Sequence, residues 1–161
     1  AGLVNKVLLS KAPKLPLKAY DDLGTFKLYT LDLGVLRKLS ELDASILLLP
    51  TPAYTEYKGA LAENYILQSL TAQFQMPFRY WTSGNKAEVD FLLQYINQIY
   101  PIEVKADQNI QGKSLIQYEK LFQPACRIRY SMLNLKQDGN LLNIPLFLAD
   151  KTRELLGVIN V

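Results

Sequence analysis

Histidine is absent from this chain, and cysteine occurs only once, as Cys126. The lack of histidine excludes Ser-His and Cys-His catalytic pairs and every histidine-ligated metal site. A single cysteine excludes a disulfide framework within the chain and a thiolate zinc site, so we expect Cys126 to be a small buried hydrophobic residue. Any hydrolytic chemistry must therefore rely on carboxylates, lysines and a bound metal.

Several recognisable segments are also missing from the sequence. It contains no apolar run long enough to cross a bilayer, no cleavable leader and no G-x-x-x-x-G-K-[ST] phosphate loop. We therefore expect no membrane partner, a reducing cytoplasmic location and no ATP binding through such a loop. The opening AGLVNKVLLS lacks an initiator methionine and already has the pattern of a strand, which indicates a fragment of a longer protein.

The composition is typical of a globular domain. The 161 residues are 49% hydrophobic and 20% charged, which is enough for a sizeable core and argues against disorder. The formal net charge of +3 permits contact with a polyanion but does not identify one.

Two sections are separated by a stretch that is rich in proline. Residues 1–49 have the pattern of a strand-helix extension, which we interpret as the end of a preceding linker or winged-helix-like region. Pro50 and Pro52 restrict the backbone, and Leu49–Pro52 is therefore the expected boundary. Residues 54–161 form a second, denser section.

The second section predicts an α/β fold, with a mixed central sheet flanked by helices on both sides. Its core order is helix, three strands, helix, strand. A further strand and a short helix follow. The corresponding segments are, in order, residues 54–74, PFRYWT, AEVDFLLQY, QIYPIEVKA, residues 112–123, CRIRYSML, NIPLFLAD and DKTRELLG.

Charged residues interrupt two of the predicted core strands. Because side chains alternate along a strand, Glu103 and Lys105 share one face, and Asp90 shares a face with Glu88, opposite Val89 and Phe91. If the strands are neighbours, carboxylates and a lysine converge, which suits Mg²⁺ or Mn²⁺ and a phosphate. The structural alternative is a solvated ion pair of little energetic value.

A fourth charged residue, Glu63, lies on the predicted long helix. It interrupts an apolar stripe that includes Gly59, Ile66, Leu67 and Leu70. A carboxylate on a packed face needs a metal or a positively charged partner, for instance Lys105. Both interpretations predict that Glu63 points toward the face that carries Asp90, Glu103 and Lys105. Gly59, one turn earlier, would let the helix approach the sheet closely.

Five segments of the chain resemble a known prokaryotic family: KGALAENYILQSL, YWTSGNKAEVDFLL, IYPIEVKA, KSLIQYEKLFQPACRIRYSM and NLLNIPLFLA. The leading stretch AGLVNKVLLSKAPKLPLKAYDDLGTFKLYTLDLGVL also resembles the region that precedes the domain in that family. The family is a C-terminal domain of unknown function (number 4143) of AAA-type ATPases, assigned to the PD-(D/E)XK nuclease-like superfamily. The resemblance implies a restriction-endonuclease-like core, and an ATPase part of the same full-length protein that is absent here and would be a partner.

The resemblance also implies roles for individual residues. Asp90 and Glu103 match the two strand acids and would hold Mg²⁺ or Mn²⁺, and Glu63 matches the helix acid that completes this metal site. Lys105 matches the lysine that orients the attacking water and stabilises charge on phosphorus. One departure is Val89, because the superfamily's name implies proline before the first acid. The implied activity is metal-dependent hydrolysis of DNA or RNA.

Other residues allow both a functional and a structural interpretation, and we favour the structural one for each. They are the helix-start residues Lys113, Ser114 and Tyr118, which could contact a phosphate; the aromatic pair Tyr80 and Trp81, which could stack on bases; and Lys6, Lys11, Lys14, Lys18 and Lys27, which could track nucleic acid or protect a sheet edge.

Two functions therefore remain open from the sequence. The first is a metal-dependent nuclease-like domain. The second is a non-catalytic docking or regulatory module of the ATPase, in which the acids form an ion-pair network and the fold binds protein or nucleic acid.

Overall fold

A computed structural model of the chain describes residues 2–41, 52–84, 86–106 and 112–159. The strands are β1 (Val4–Ser10), β2 (Asp21–Thr30), β3 (Arg79–Thr82), β4 (Glu88–Tyr95), β5 (Gln98–Val104), β6 (Arg127–Ser131), β7 (Lys136–Asp138) and β8 (Leu141–Pro145). The α-helices are α1 (Leu33–Leu39), α2 (Pro52–Phe74), α3 (Lys113–Phe122) and α4 (Thr152–Ile159), and 3-10 turns span Leu17–Tyr20 and Leu146–Lys151.

The described strands form one mixed sheet in the order β2-β1-β3-β4-β5-β6-β8-β7. The strands β3, β4 and β5 are antiparallel neighbours, and β6 lies parallel to both β5 and β8. The N-terminal section joins the same sheet because β1 runs parallel to β3. The predicted mixed α/β architecture is confirmed.

Helices cover both faces of the sheet. On the first face, α2 and α4 contribute Ile66, Leu70 and Leu156 to the main cluster, which includes Phe91 and Ile102 of the sheet. On the second face, the core is a smaller cluster in which α3 packs on the sheet; its buried residues are Leu17, Trp81, Ala87, Val89, Leu92, Leu115 and Tyr118. Burial of these apolar faces is the main stabilising contribution to the fold.

An irregularity in β4 changes the face pattern that simple alternation predicts. Arg79 pairs with Leu92 and Trp81 with Val89, so two steps along β3 correspond to three along β4. This extra residue is a β-bulge, which bends the strand and resets its alternation. Val89 consequently packs on the second face and Phe91 on the first. The expectation that these two residues share a face was wrong.

Two further expectations need correction, and one strand was not expected. The strand predicted at NIPLFLAD ends at Pro145, since proline has no N–H to extend a ladder, and a 3-10 turn follows. The edge strand β7 is three exposed residues without an apolar pattern, so the sequence carried no signal for it. No atom of the described residues lies within 4 Å of the Cβ position of Gly59, so this glycine does not bring the helix close to the described sheet.

Part of the predicted section boundary, Leu49–Thr51, lies outside the described residues. Pro52 is the first residue of α2, where proline is tolerated because that N–H has no partner within the helix. Residue 85 is likewise outside the described ranges, while Gly84 adopts a left-handed φ of 84° between β3 and β4.

Candidate functional site

The two central antiparallel strands separate beside Asp90. Their pairing runs from the tight turn at Tyr95 and Gln98 to Phe91 and Ile102. Beyond that point, the N–H of Val104 donates to Oδ2 of Asp90, at 2.7 Å, instead of to a backbone carbonyl. A side-chain carboxylate therefore lies in the gap between β4 and β5, within the bulged stretch of β4.

Glu103 and Lys105 form an ion pair at the end of β5. Their neighbours Ile102 and Val104 pack on the first face, so alternation directs Glu103 toward the second. Oε1 of Glu103 is 3.1 Å from Nζ of Lys105, and the exposed fractions of the two side chains are 3% and 34%. The other carboxylate oxygen of Glu103, Oε2, is buried with no hydrogen-bond partner in the described parts of the chain.

Glu63 is held from the N-terminal section. The hydroxyl of Tyr29, on β2, donates to Oε2 of Glu63 at 2.9 Å. The Tyr29 ring packs against Phe91, the residue after Asp90, with ring centroids 5.4 Å apart. One turn of α2 is thereby fixed against the bulged strand on the first face.

A lysine from the same strand enters this group of acids. Nζ of Lys27 pairs with Oε1 of Glu88 and lies 5.0 Å from the centre of the Tyr80 ring. Burial lowers the pKa of Lys27, but the hydrogen bond and charge of Glu88 and the charges of Asp90 and Glu63 raise it above its usual value.

The electrostatics centre on Asp90. Burial and the negative charge of Glu63 raise the pKa of Asp90 to about 7, against the lowering effects of the Val104 N–H and of Lys27. Glu103 adds a smaller raising contribution. Burial and the nearby charge and hydrogen bond of Glu63 also raise the pKa of Tyr29 far above its usual range. The carboxylates of Asp90 and Glu63 thus lie close enough to interact in an environment from which water is largely excluded.

The predicted residues fall into two connected groups. In the first group, the negative charge of Glu63 raises the pKa of Asp90. In the second group, Glu103 forms an ion pair with Lys105. The groups are connected because the charge of Glu103 also raises the pKa of Asp90. The ion pair suggested between Glu63 and Lys105 does not occur, because Lys105 contacts Glu103. In the ranges that the structure describes, no three carboxylate or cysteine side chains are close enough to enclose a metal by themselves.

Sequence reasoning missed three contributors to this site. The sequence pattern gives Tyr29 no role, predicts for Glu88 only that it shares a face with Asp90, and favours a structural interpretation of Lys27. The only sequence signal was the alternation of Lys27 and Tyr29 along one strand, which puts them on the same face.

The remaining aromatic candidates are structural. Tyr80 and Trp81 are 6% and 5% exposed, and Trp81 packs edge-on against Tyr118, so none of them presents a free face for base stacking. Cys126 is buried, as expected, and burial raises the pKa of its thiol.

Fold and site define a mixed α/β domain with a partly buried carboxylate cluster where its central strands separate. A sequence model described as Domain of unknown function (DUF4143) matches residues 58–147, and the chain belongs to that family. Comparisons with curated proteins and with solved structures returned no match. Among the described helices, none is both long and apolar enough for a membrane crossing.

Proposed function

We propose that this domain has a PD-(D/E)XK nuclease-like core and hydrolyses phosphodiester bonds of DNA or RNA with the help of Mg²⁺ or Mn²⁺. The observation that carries the proposal is the pair of carboxylates at the strand separation. Asp90 replaces a backbone acceptor there, and one buried oxygen of Glu103 has no hydrogen-bond partner among the described residues. The order of helix, three strands, helix and strand from α2 to β6 supports it as well.

The residues fit a divalent cation. A buried carboxylate oxygen without a partner is costly, and a hard cation satisfies it. Burial and the negative charge of Glu63 raise the pKa of Asp90, and a bound cation would favour its ionised form. Mg²⁺ commonly uses one or two carboxylates and several waters, so Asp90 and Glu103, with Glu63 nearby, form an adequate set.

Each side chain has a distinct role in this proposal. Asp90 and Glu103 would hold the cation, which would activate water and neutralise phosphoryl charge. Glu63, fixed by Tyr29, would position the neighbouring carboxylates of Asp90 and Glu103. Lys105, one-third exposed beside Glu103, would orient the attacking water and stabilise the negative charge that develops on phosphorus. Its backbone N–H donates to Tyr130 O at 2.8 Å, which anchors the end of β5.

One observation favours a second candidate function. Each lysine of the site already has a carboxylate partner, Lys105 with Glu103 and Lys27 with Glu88. Lysines that are already paired with carboxylates suit a non-catalytic docking or regulatory module. Under either function, we propose that the chain acts as the C-terminal part of a larger AAA-type ATPase, as the family resemblance implies.

Metal titration distinguishes the two functions. We expect calorimetry to show saturable Mn²⁺ binding by the wild-type chain and no binding by Asp90→Ala. The control Glu154→Ala, which changes an exposed carboxylate, should bind Mn²⁺ like the wild type. Cleavage of plasmid and single-stranded substrates is then expected for the wild type and lost in Glu103→Ala and Lys105→Ala. A folded wild-type chain without saturable Mn²⁺ binding would overturn the nuclease proposal.

A further inference from the structure

Lys27 occupies an unusual position for a lysine on an edge strand. It belongs to β2, ahead of the family-matched residues 58–147, yet its ammonium group reaches Glu88 on β4. Its side chain is 27% exposed and passes over the ring of Tyr80 on β3. The lysine therefore extends along the first face of the sheet toward the strand that carries Asp90.

The charge of Lys27 acts beyond its direct partner. It lowers the pKa of Asp90, and Asp90 and Glu63 in turn raise the pKa of Lys27. Lysine carries a full positive charge at neutral pH. In the absence of a metal, it thus balances part of the negative charge that Glu63, Glu88 and Asp90 bring together.

We propose that Lys27 is a positioning residue that acts as a tethered counter-charge: it holds the acidic group together without a metal, and it limits how tightly a divalent cation binds. The proposal rests on the proposed metal-binding function of Asp90 and Glu103. Lys27 is not assigned a contact with the substrate or with the metal.

The sign of the expected effect separates this role from a purely structural one. A cation that binds beside Asp90 meets the repulsion of a positive charge held at Glu88, and this repulsion is strong where water is partly excluded. Removing the charge should therefore tighten metal binding. If Lys27 only supported the local structure, its removal would loosen the site and weaken binding.

The experiment is calorimetric titration with Mn²⁺ at about pH 8, where Asp90 is ionised given its pKa of about 7. Lys27→Met removes the charge and keeps an apolar stem over Tyr80, whereas Lys27→Arg keeps the charge. The matched control is Lys11→Met. It removes the same charge from an ion pair with Asp22, 3.7 Å long, in the same β1–β2 hairpin but away from the acidic group.

We expect Lys27→Met to bind Mn²⁺ roughly tenfold more tightly than the wild type. Lys27→Arg and Lys11→Met should stay within about twofold. If the wild type binds but Lys27→Met binds equally or more weakly, the counter-charge role is wrong and the proposed function stands. If the wild type does not bind at all, both proposals fall.

A second variant keeps the test valid if Lys27→Met does not fold. Glu88→Gln changes a side chain that is 46% exposed, so we expect it to be tolerated. It leaves Lys27 charged but without its carboxylate partner, so the lysine charge acts unopposed and Mn²⁺ affinity should fall severalfold. Unchanged affinity in Glu88→Gln would overturn the counter-charge role.

Discussion

The carboxylate of Asp90 accepts the backbone N–H of Val104 at 2.7 Å, in the place of a strand carbonyl. This contact joins the candidate site to the hydrogen-bond ladder of the sheet. It lies where the pairing of β4 and β5 ends, and the charges of both Glu63 and Glu103 act on Asp90 there. Asp90 therefore belongs both to the candidate site and to the hydrogen bonding of the sheet.

Asp90 should make the stability of the metal-free protein depend on pH. Its pKa is about 7 in the folded protein, against an ordinary value of 3.8. Because the folded state holds this proton more tightly, stability is highest below about pH 4 for this group and falls as the pH rises to about 7. Asp90→Asn keeps an acceptor for Val104 without the charge, so it should match the wild type near pH 4 and exceed it above pH 7.

Urea unfolding in the presence of a chelator, over a series of pH values, measures this effect. Asp90→Ala, which also removes the acceptor, should be less stable than Asp90→Asn at every pH, by about 1–3 kcal/mol. A difference between wild type and Asp90→Asn that does not change with pH would contradict the assignment of the raised pKa to this carboxyl.

The hydrogen bond from Tyr29 to Glu63 should be energetically significant. Tyr29→Phe removes the hydroxyl but keeps the ring against Phe91, so we expect a loss of about 1 kcal/mol in the free energy of unfolding. A double-mutant cycle with Glu63→Met, which removes the acceptor and keeps a side chain of similar length, should give a coupling energy of about 1 kcal/mol. A coupling energy near zero would mean that Glu63 is not held by Tyr29.

A buried ion pair outside the site should matter much more than an exposed one. Arg79 donates to both carboxylate oxygens of Asp21, at 2.8 and 2.9 Å, and the two side chains are 6% and 10% exposed. Arg79→Met leaves that carboxylate buried without its partner and should cost about 3–5 kcal/mol in urea unfolding. The control Lys151→Met breaks an exposed pair and should have little measurable effect. Equal losses would contradict this ranking.

Two glycines should respond in opposite directions to alanine. Gly59 is inside α2 with open space at its Cβ position, so Gly59→Ala should raise stability by about 0.5–1 kcal/mol through helix propensity. Gly139 has a φ of 58°, so Gly139→Ala should lower stability by about 1 kcal/mol. Thermal unfolding of both variants tests this pair, and destabilisation by Gly59→Ala would mean that the helix has less room there than the structure indicates.

The elements with strong local patterns were predictable from the sequence. Most strand and helix segments follow from apolar alternation, from helical periodicity and from prolines and glycines, and the apolar stripe of Ile66, Leu67 and Leu70 is indeed buried. The short strand β7 and the end of β8 were not predictable in this way, because exposed polar residues carry no apolar period and Pro145 interrupts the last ladder.

The sequence by itself determined that any hydrolytic chemistry must rest on carboxylates and lysine, and it located Asp90, Glu103 and Lys105 on adjacent segments. Only the tertiary structure decided how the group is arranged. The bulge in β4 depends on pairing with β3, and the entry of Lys27 and Tyr29 depends on β1 lying beside β3. Contacts between distant segments arise when a sheet assembles and buries its faces, and no local pattern encodes them.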